Sequence, residues 1–547
     1  MKKDKTMVKS TFVKGAFITT LGIAIAKILG VLYVIPFHSI IGESGGALYG
    51  YAYTIYIFFM SLSSAGIPLA ISKIVSEYQT LGYHDAKRRA FIIGKKVALL
   101  MGLVFFLIIL LCAPVLAKFI LGNVNGANSI SDVVFVIRII GVAILVVPIL
   151  SIYRGYFEGH RFMSPVSISQ VLEQFVRVVI IILGSFLALK VFKVSLTSAV
   201  GVALFGATAG AFTSYLYLVN KKFKNKKKFN EKLRDVNEPI ITNKVILKKI
   251  ILYAIPFIMI DVFKALYNYV DMFTVVKALV KYASFSGKDA EIVYGILSTW
   301  GAKFNMIILA VSTGIVVNLI PNLERNVVRK EKQEISRKIT QSLNILLFLM
   351  IPMALGISFL AKPIWIVFYG SSKYGPSILS YFIFVGLLIG LFTAMVTVLQ
   401  SLKDYKSVFI SLFSGVVVKA LLNVNLIIAF NKMRLPAYYG VITASILGYL
   451  VSFIICLCIL GIKYKVNYEK VVKNFIDIMG AGILMIVVLS LVRLIIPISV
   501  DNRFLNIFII LIYTLIGALV YFLYTKKIKA IEGIFGSTKL SYKDRKK

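Results

Sequence analysis

Eight ionisable side chains stand well inside long apolar stretches: Lys27, Glu173, Arg177, Asp261, Lys264, Asp271, Lys303 and Lys419. At the centre of a bilayer each would cost about 2.5–3.5 kcal/mol on insertion scales, so each needs a reason. Their spacing supplies one. Gln170, Glu173, Gln174 and Arg177 recur at helical intervals along one face, and so do Asp261, Lys264, Asn268 and Asp271. A polar stripe on an otherwise apolar helix cannot face hydrocarbon, so it faces other helices or water. Glu173 and Arg177, one turn apart, can neutralise each other, which leaves interhelical ion pairing and substrate binding both open for that pair. Lys27 and Lys303 have no acidic residue within a helical turn, which favours a water-filled cavity.

The sign of this interior bears on what it can hold. Lys27, Arg138, Arg177, Lys264, Lys303 and Lys419 outnumber Glu173, Asp261 and Asp271, and a cavity with positive excess attracts anions and repels cations. An exporter of cationic drugs would want the opposite. Asp261 and Asp271, with Asn423 as a neutral ligand, are candidates for a coupling cation such as Na+ or H+. Lys14 and Arg493 lie near the ends of their stretches and can extend to the headgroups.

Covalent chemistry is not written in the sequence. Gly94-Lys95 and Gly287-Lys288 lack the earlier glycine of a phosphate loop. Gly42-Glu43-Ser44-Gly45-Gly46, with His38 nearby, matches a nucleophile elbow in pattern but sits in a short connection, where its glycines more naturally make a tight turn. Cys112, Cys456 and Cys458 lie in apolar runs, and the three histidines fall in separate connections. The expectation is a protein that is not an enzyme and has no metal site or cofactor.

The elements that must position these residues follow from composition. Of 547 residues 59% are hydrophobic and 16% charged, which excludes disorder, a disulfide scaffold and a soluble enzyme. A net charge of +39 would suggest nucleic acid on a soluble chain, but the solvated basic face such binding needs is missing, so no nucleic-acid partner is expected. Long apolar runs give about fourteen membrane-spanning helices, beginning near 12–37 and 47–72 and ending near 504–525. Lysine and arginine collect in alternate connections, in the segment from Lys221 to Arg234 and in the tail from Lys526. The positive-inside rule then places both termini in the cytoplasm. The lysines and Ala24-Ile25-Ala26 imitate a signal peptide, but the apolar run continues to Phe37, so cleavage is not expected.

A weak repeat organises the spans. Ser64-Ala65-Gly66-Ile67 closes the second and Ser312-Thr313-Gly314-Ile315 the eighth, each read as a break before a charged helical segment. Lys27 and Lys264 occupy the spans just before them. Two parallel, pseudo-symmetric six-helix lobes follow, within 1–219 and 250–460 and joined by the basic linker 220–249. The last two spans lie in 461–525 and a basic cytoplasmic tail in 526–547. Linker and tail can associate with anionic membrane lipids or simply fix topology.

Two stretches carry a resemblance. Lys27-Ile28-Leu29-Gly30 with Ser64 to Lys73, and Arg154-Gly155-Tyr156-Phe157-Glu158-Gly159 continuing to Gln170 through Arg177, resemble bacterial polysaccharide-biosynthesis membrane proteins. The branch is that of the lipid II flippases and the stage V sporulation protein B group, within the multidrug/oligosaccharidyl-lipid/polysaccharide exporter superfamily. The resemblance implies a multi-pass protein of the bacterial cytoplasmic membrane, with two lobes around a cationic cavity and a lipid-facing groove beside the last two helices. It also implies alternating access that carries an anionic undecaprenyl-pyrophosphate-linked saccharide, lipid II or a related envelope precursor, across the bilayer. Membrane potential or an ion gradient would drive the movement. Lys27 takes the place of a first-helix basic residue of the lipid II flippases and Lys303 approximately that of an eighth-helix one. Tyr33 is followed by Val34 where relatives often carry arginine, and no arginine occurs across Phe58–Ser63. The expected substrate-binding residues are Lys27, Arg177, Lys264 and Lys303, with Gln170, Glu173, Gln174, Asn268 and Lys419 as further polar groups of the cavity. A cation-coupled multidrug exporter and a non-transporting scaffold that recruits envelope-synthesis enzymes are the alternatives.

Overall fold

The computed structural model describes residues 26–531 apart from 27, 65, 230–238, 240, 330, 501 and 529. Lys27, the start of the first expected span, much of the basic linker and the end of the tail therefore lie outside the described residues. Every described element is helical, as a backbone in hydrocarbon requires, because each N–H and C=O must find its partner within the chain. Twelve described helices are long and apolar enough to cross a membrane. The first of them, Ile28–Leu81, holds two of the expected spans, and the expected span at 250–273 lies in Asn243–Ala283, outside those twelve. Within the described residues each expected span thus falls largely on helix.

The helices pack into two compact units, one running to Val280 and taking in Phe285–Ser298, the other Lys281–Ser284 and everything from Thr299. Packing draws its line near 281–299, whereas the repeat draws it at the linker.

The first unit begins with α1 (Val34–Ser64), bent where Gly42 takes φ 67°. That bend is the turn between the first two spans. Of the elbow-like glycines, Gly42 makes that turn and Gly45 and Gly46 follow it in helix, so no strand leads into the segment. At Gly66 the chain breaks again, with φ 73°, and α2 (Ile67–Leu81) starts with proline in its first turn. Then come α3 (His84–Leu121), α4 (Ile130–Gly141), α5 (Ala143–Gly159), α6 (Met163–Val179) and α7 (Leu196–Lys224). The side of α3 away from its neighbours is apolar, with Leu111 73% exposed, as a lipid-facing surface should be. The long helix α8 (Asn243–Ala283), as far as Val280, and α9 (Gly287–Gly295) complete this unit. Lys249 on α8 pairs with Glu77 on α2 at 2.7 Å, and Lys73 sits 4.0 Å over the Tyr253 ring.

The second unit contains α10 (Ala302–Val328), α11 (Lys332–Phe359), α12 (Ala361–Tyr369), α13 (Gly375–Ser401), α14 (Tyr405–Lys432), α15 (Tyr438–Tyr464), α16 (Glu469–Val492) and α17 (Arg503–Lys527). Here one expectation fails. The break read at Gly314 is absent, and α10 runs straight through it. Gly66 is followed two residues later by Pro68, which starts a new helix, whereas the proline after Gly314 comes seven residues on.

Candidate functional site

The polar stripe of α6 is where the structure gathers charge. Pro165 lies in the first turn of this helix and the stretch to Val179 contains no glycine, so Glu173 and Arg177 stand one turn apart on a regular face. Gly206 and Gly210 bring α7 against that helix. A β-carbon added at Gly206 would lie 3.0 Å from the carbonyl oxygen of Arg177. α5 supplies a residue that the spacing argument passed over, Arg154. Its turn is held because the next residue, Gly155, meets the backbone of Pro68, where an added β-carbon would come within 2.4 Å of oxygen.

The two arginines share one carboxylate. Glu173 accepts from Arg154 Nη2 through Oε2 at 2.7 Å and from Arg177 Nη2 through Oε1 at 2.7 Å. All three side chains are less than one-fifth exposed. Arg154 is engaged elsewhere too, donating from Nε to Ser169 Oγ at 3.0 Å and from Nη2 to Ser214 Oγ at 3.3 Å. Ser214 in turn donates to the Ser169 carbonyl at 2.6 Å, tying α7 to α6. Arg177 differs. Its Nε is buried and without a hydrogen-bond partner among the described residues. Tyr49, Tyr53 and Tyr56 of α1 lie within electrostatic reach of its guanidinium, and the Tyr49 and Tyr53 rings stack at 5.6 Å. Two guanidiniums against one carboxylate leave the cluster with positive excess, which suits an anion.

The remaining expected residues are placed as follows. Gln170 and Gln174 are half-buried on the same face, and the Gln174 amide faces Gly30. Lys264 lies 3.9 Å from Asp261, but with side chains 37% and 48% exposed this is a loose pair in which the ammonium keeps its reach. Asn268 is exposed. Asp271 acts electrostatically on Tyr294, whose ring stacks on Tyr51 at 4.6 Å. Lys303 is half-buried in the first turn of α10, and Lys27 lies outside the described residues. Lys419 is buried between α14 and α15, where its Nζ donates to Ser445 Oγ at 2.7 Å, and Asn423 is buried one turn further on. Asp261 and Asp271 are ten residues apart on α8, about 15 Å along its axis. With Asn423 in the second unit, these three form no ligand set inside either unit. Among the described residues no group of three or more His, Cys, Asp or Glu side chains could hold a metal ion.

The second unit holds a different feature, an apolar groove of about 600 Å³ between α11, α16 and α17. Pro352, Gly356, Met485, Gly517 and Tyr521 line it. The Tyr521 hydroxyl is turned away to the Phe348 carbonyl at 2.9 Å, so the ring presents only its apolar body.

Fold and charge together define a polytopic helical membrane protein with an electropositive cluster inside one helical unit and a greasy groove beside its last helices. The chain belongs to the polysaccharide biosynthesis protein family, which matches residues 12–327. The lipid II flippase MurJ of Bacillus subtilis (strain 168) is 33% identical over 540 residues, 96% of this chain and 97% of that protein. A solved lipid II flippase MurJ in an inward closed conformation superposes with a TM-score of 0.66 at 15% identity, covering 94% of this chain and 98% of that one. An inward-facing multidrug resistance MATE family transporter of the MOP superfamily gives a TM-score of 0.62 at 12% identity, over 82% of this chain and 99% of the other. The fold is therefore one that both kinds of transporter share.

Proposed function

We propose that the protein is a flippase of the bacterial cytoplasmic membrane. It carries an anionic undecaprenyl-pyrophosphate-linked saccharide, lipid II or a related envelope precursor, to the outer leaflet by alternating access. The observation that carries this reading is Arg177, a buried guanidinium inside a membrane span with most of its donors uncommitted among the described residues. Charge-assisted bonds from guanidinium to phosphate are strong, and low dielectric strengthens them. Lys27, Lys264 and Lys303 would add to the hold on the pyrophosphate, and the apolar groove would take part of the polyprenyl chain. Asp261, Asp271 and Asn423 are the groups through which a cation gradient could couple, with membrane potential as the other drive. The name of the full-length Bacillus subtilis relative supports the cargo class, and nothing in this reading requires covalent chemistry from the protein.

The test is leaflet-resolved detection of lipid-linked precursors in cells whose own flippases are depleted. Expression of the protein should restore outer-leaflet precursor, while Lys27→Ala, Lys303→Ala and Arg177→Ala should each fail to do so at normal membrane abundance. Protection against cationic dyes without movement of precursor would replace this reading with that of a drug exporter. Loss of activity on deleting 526–547 alone would favour a scaffold.

A further inference from the structure

The Arg154–Glu173–Arg177 cluster poses a question that the flippase reading leaves open, namely why a carboxylate stands beside the guanidinium meant for substrate. A glutamate one turn from Arg177 could by itself cancel that charge. We infer that Arg154 is a positioning residue whose work is to occupy Glu173, so that Arg177 stays available to the anionic headgroup. The inference rests on the proposed flippase reading.

The hydrogen bonds divide the labour. A guanidinium has five N–H donors in a fixed fork. Arg154 spends its Nε on Ser169 and its Nη2 on Glu173 and Ser214, so its direction is fixed by three separate acceptors on α6 and α7. Arg177 gives only Nη2 to Glu173, and its Nε stays unbonded among the described residues. Each arginine holds one oxygen of the carboxylate. Without Arg154, both oxygens would be free to turn onto Arg177 in the two-pronged geometry that guanidinium and carboxylate prefer. Arg177 would then be neutralised by its own helix neighbour. Arg154 is fixed from behind as well, through the close contact of Gly155 with Pro68.

This arrangement gives a signature that a purely structural cluster would not. Full-length protein in nanodiscs is titrated with undecaprenyl pyrophosphate, with phosphatidylglycerol as the matched anionic lipid and thermal stability followed in parallel. Arg154→Gln should weaken binding about tenfold, the scale of one charge-assisted bond. Glu173→Gln in that background should bring affinity back to within about threefold of the parent, because the competitor is gone. Arg177→Gln should bind weakly whether or not Glu173 is also changed. Arg154→Lys, which keeps the charge, should retain most of the affinity. If Arg154→Gln does not fold, Glu173→Gln alone decides the matter: it should bind at least as tightly as the parent, and weaker binding at unchanged melting overturns the inference. Failure of Glu173→Gln to rescue a folded Arg154→Gln overturns it too, while leaving the flippase reading intact. A parent protein that binds the probe no better than phosphatidylglycerol removes the headgroup reading and this inference together.

Discussion

Gly210 and Glu173 are in backbone contact: a β-carbon added at Gly210 would lie 2.5 Å from the carbonyl oxygen of Glu173. The helix that carries the charged stripe is thus held in place by the absence of a side chain on its neighbour. Gly210→Val should force α7 away from α6 and, like other overpacked substitutions, cost about 1–3 kcal/mol. It should also move Glu173 and Arg177. Melting of the purified protein in detergent reads the first effect, and complementation of flippase-depleted cells the second. A variant with parental melting and full complementation would show that the contact is dispensable.

The two Ser-x-Gly-Ile segments should respond in opposite ways. Gly66 takes φ 73°, and a β-carbon there would lie 2.6 Å from the Ala254 carbonyl oxygen. Gly66→Ala should therefore destabilise. Gly314 continues a helix, and among the described residues no atom of another element lies within 4 Å of the added carbon. Gly314→Ala should be neutral or stabilise by about 0.5–1 kcal/mol through helix propensity. Equal losses from both substitutions would restore the idea that the two positions are structurally equivalent.

What could be read from sequence and what could not divides along physical lines. The spans were legible because hydrocarbon leaves the backbone no choice but helix, and the α6 face was legible because Gln170, Glu173, Gln174 and Arg177 are near neighbours on one helix. Arg154 stands in a stretch that carries the resemblance, but its place in the cluster did not follow from spacing, because it falls just past the expected span and meets Glu173 only when α5 and α6 pack, which periodicity within one helix cannot reveal. What marks its place is the small polar company that a buried guanidinium needs, Ser169 and Ser214, which come from two different helices. The groove was implied by the resemblance and not by the residues themselves, since Pro352, Gly356 and Met485 look the same in sequence whether they face lipid, a neighbour or a cleft.

Asp404 offers a pH-dependent prediction away from the cluster. It caps α14, accepting from the Ser407 backbone N–H at 3.3 Å, and from Lys463 Nζ at 2.8 Å. Burial alone would raise its carboxyl, but the Lys463 ammonium and the hydroxyl and N–H of Ser407 outweigh that and hold it below the ordinary aspartate value. A group depressed in the folded state contributes its full stability above its unfolded pKa and loses it as pH falls through the folded one. Asp404→Ala should therefore cost about 1 kcal/mol at neutral pH, the usual worth of a cap. The difference from the parent should shrink in melts taken below pH ~4. A difference that grows toward acid would contradict the assignment.

Gly356 tests the groove without touching any charge. It lines the cleft between α11, α16 and α17, and nothing among the described residues lies within 4 Å of a β-carbon placed there. A large ring can therefore enter the groove instead of colliding with a helix. Gly356→Trp should fill much of the space, leaving the protein folded and its melting near that of the parent. If the groove holds the polyprenyl chain, movement of lipid-linked precursor should fall at least tenfold in flippase-depleted cells, a change of about 1.4 kcal/mol in the lipid's interaction. Gly356→Ala, which adds one methyl group to the same wall, should transport normally. Full transport by the tryptophan variant would mean that the chain travels elsewhere and that this cleft is no more than a gap between helices.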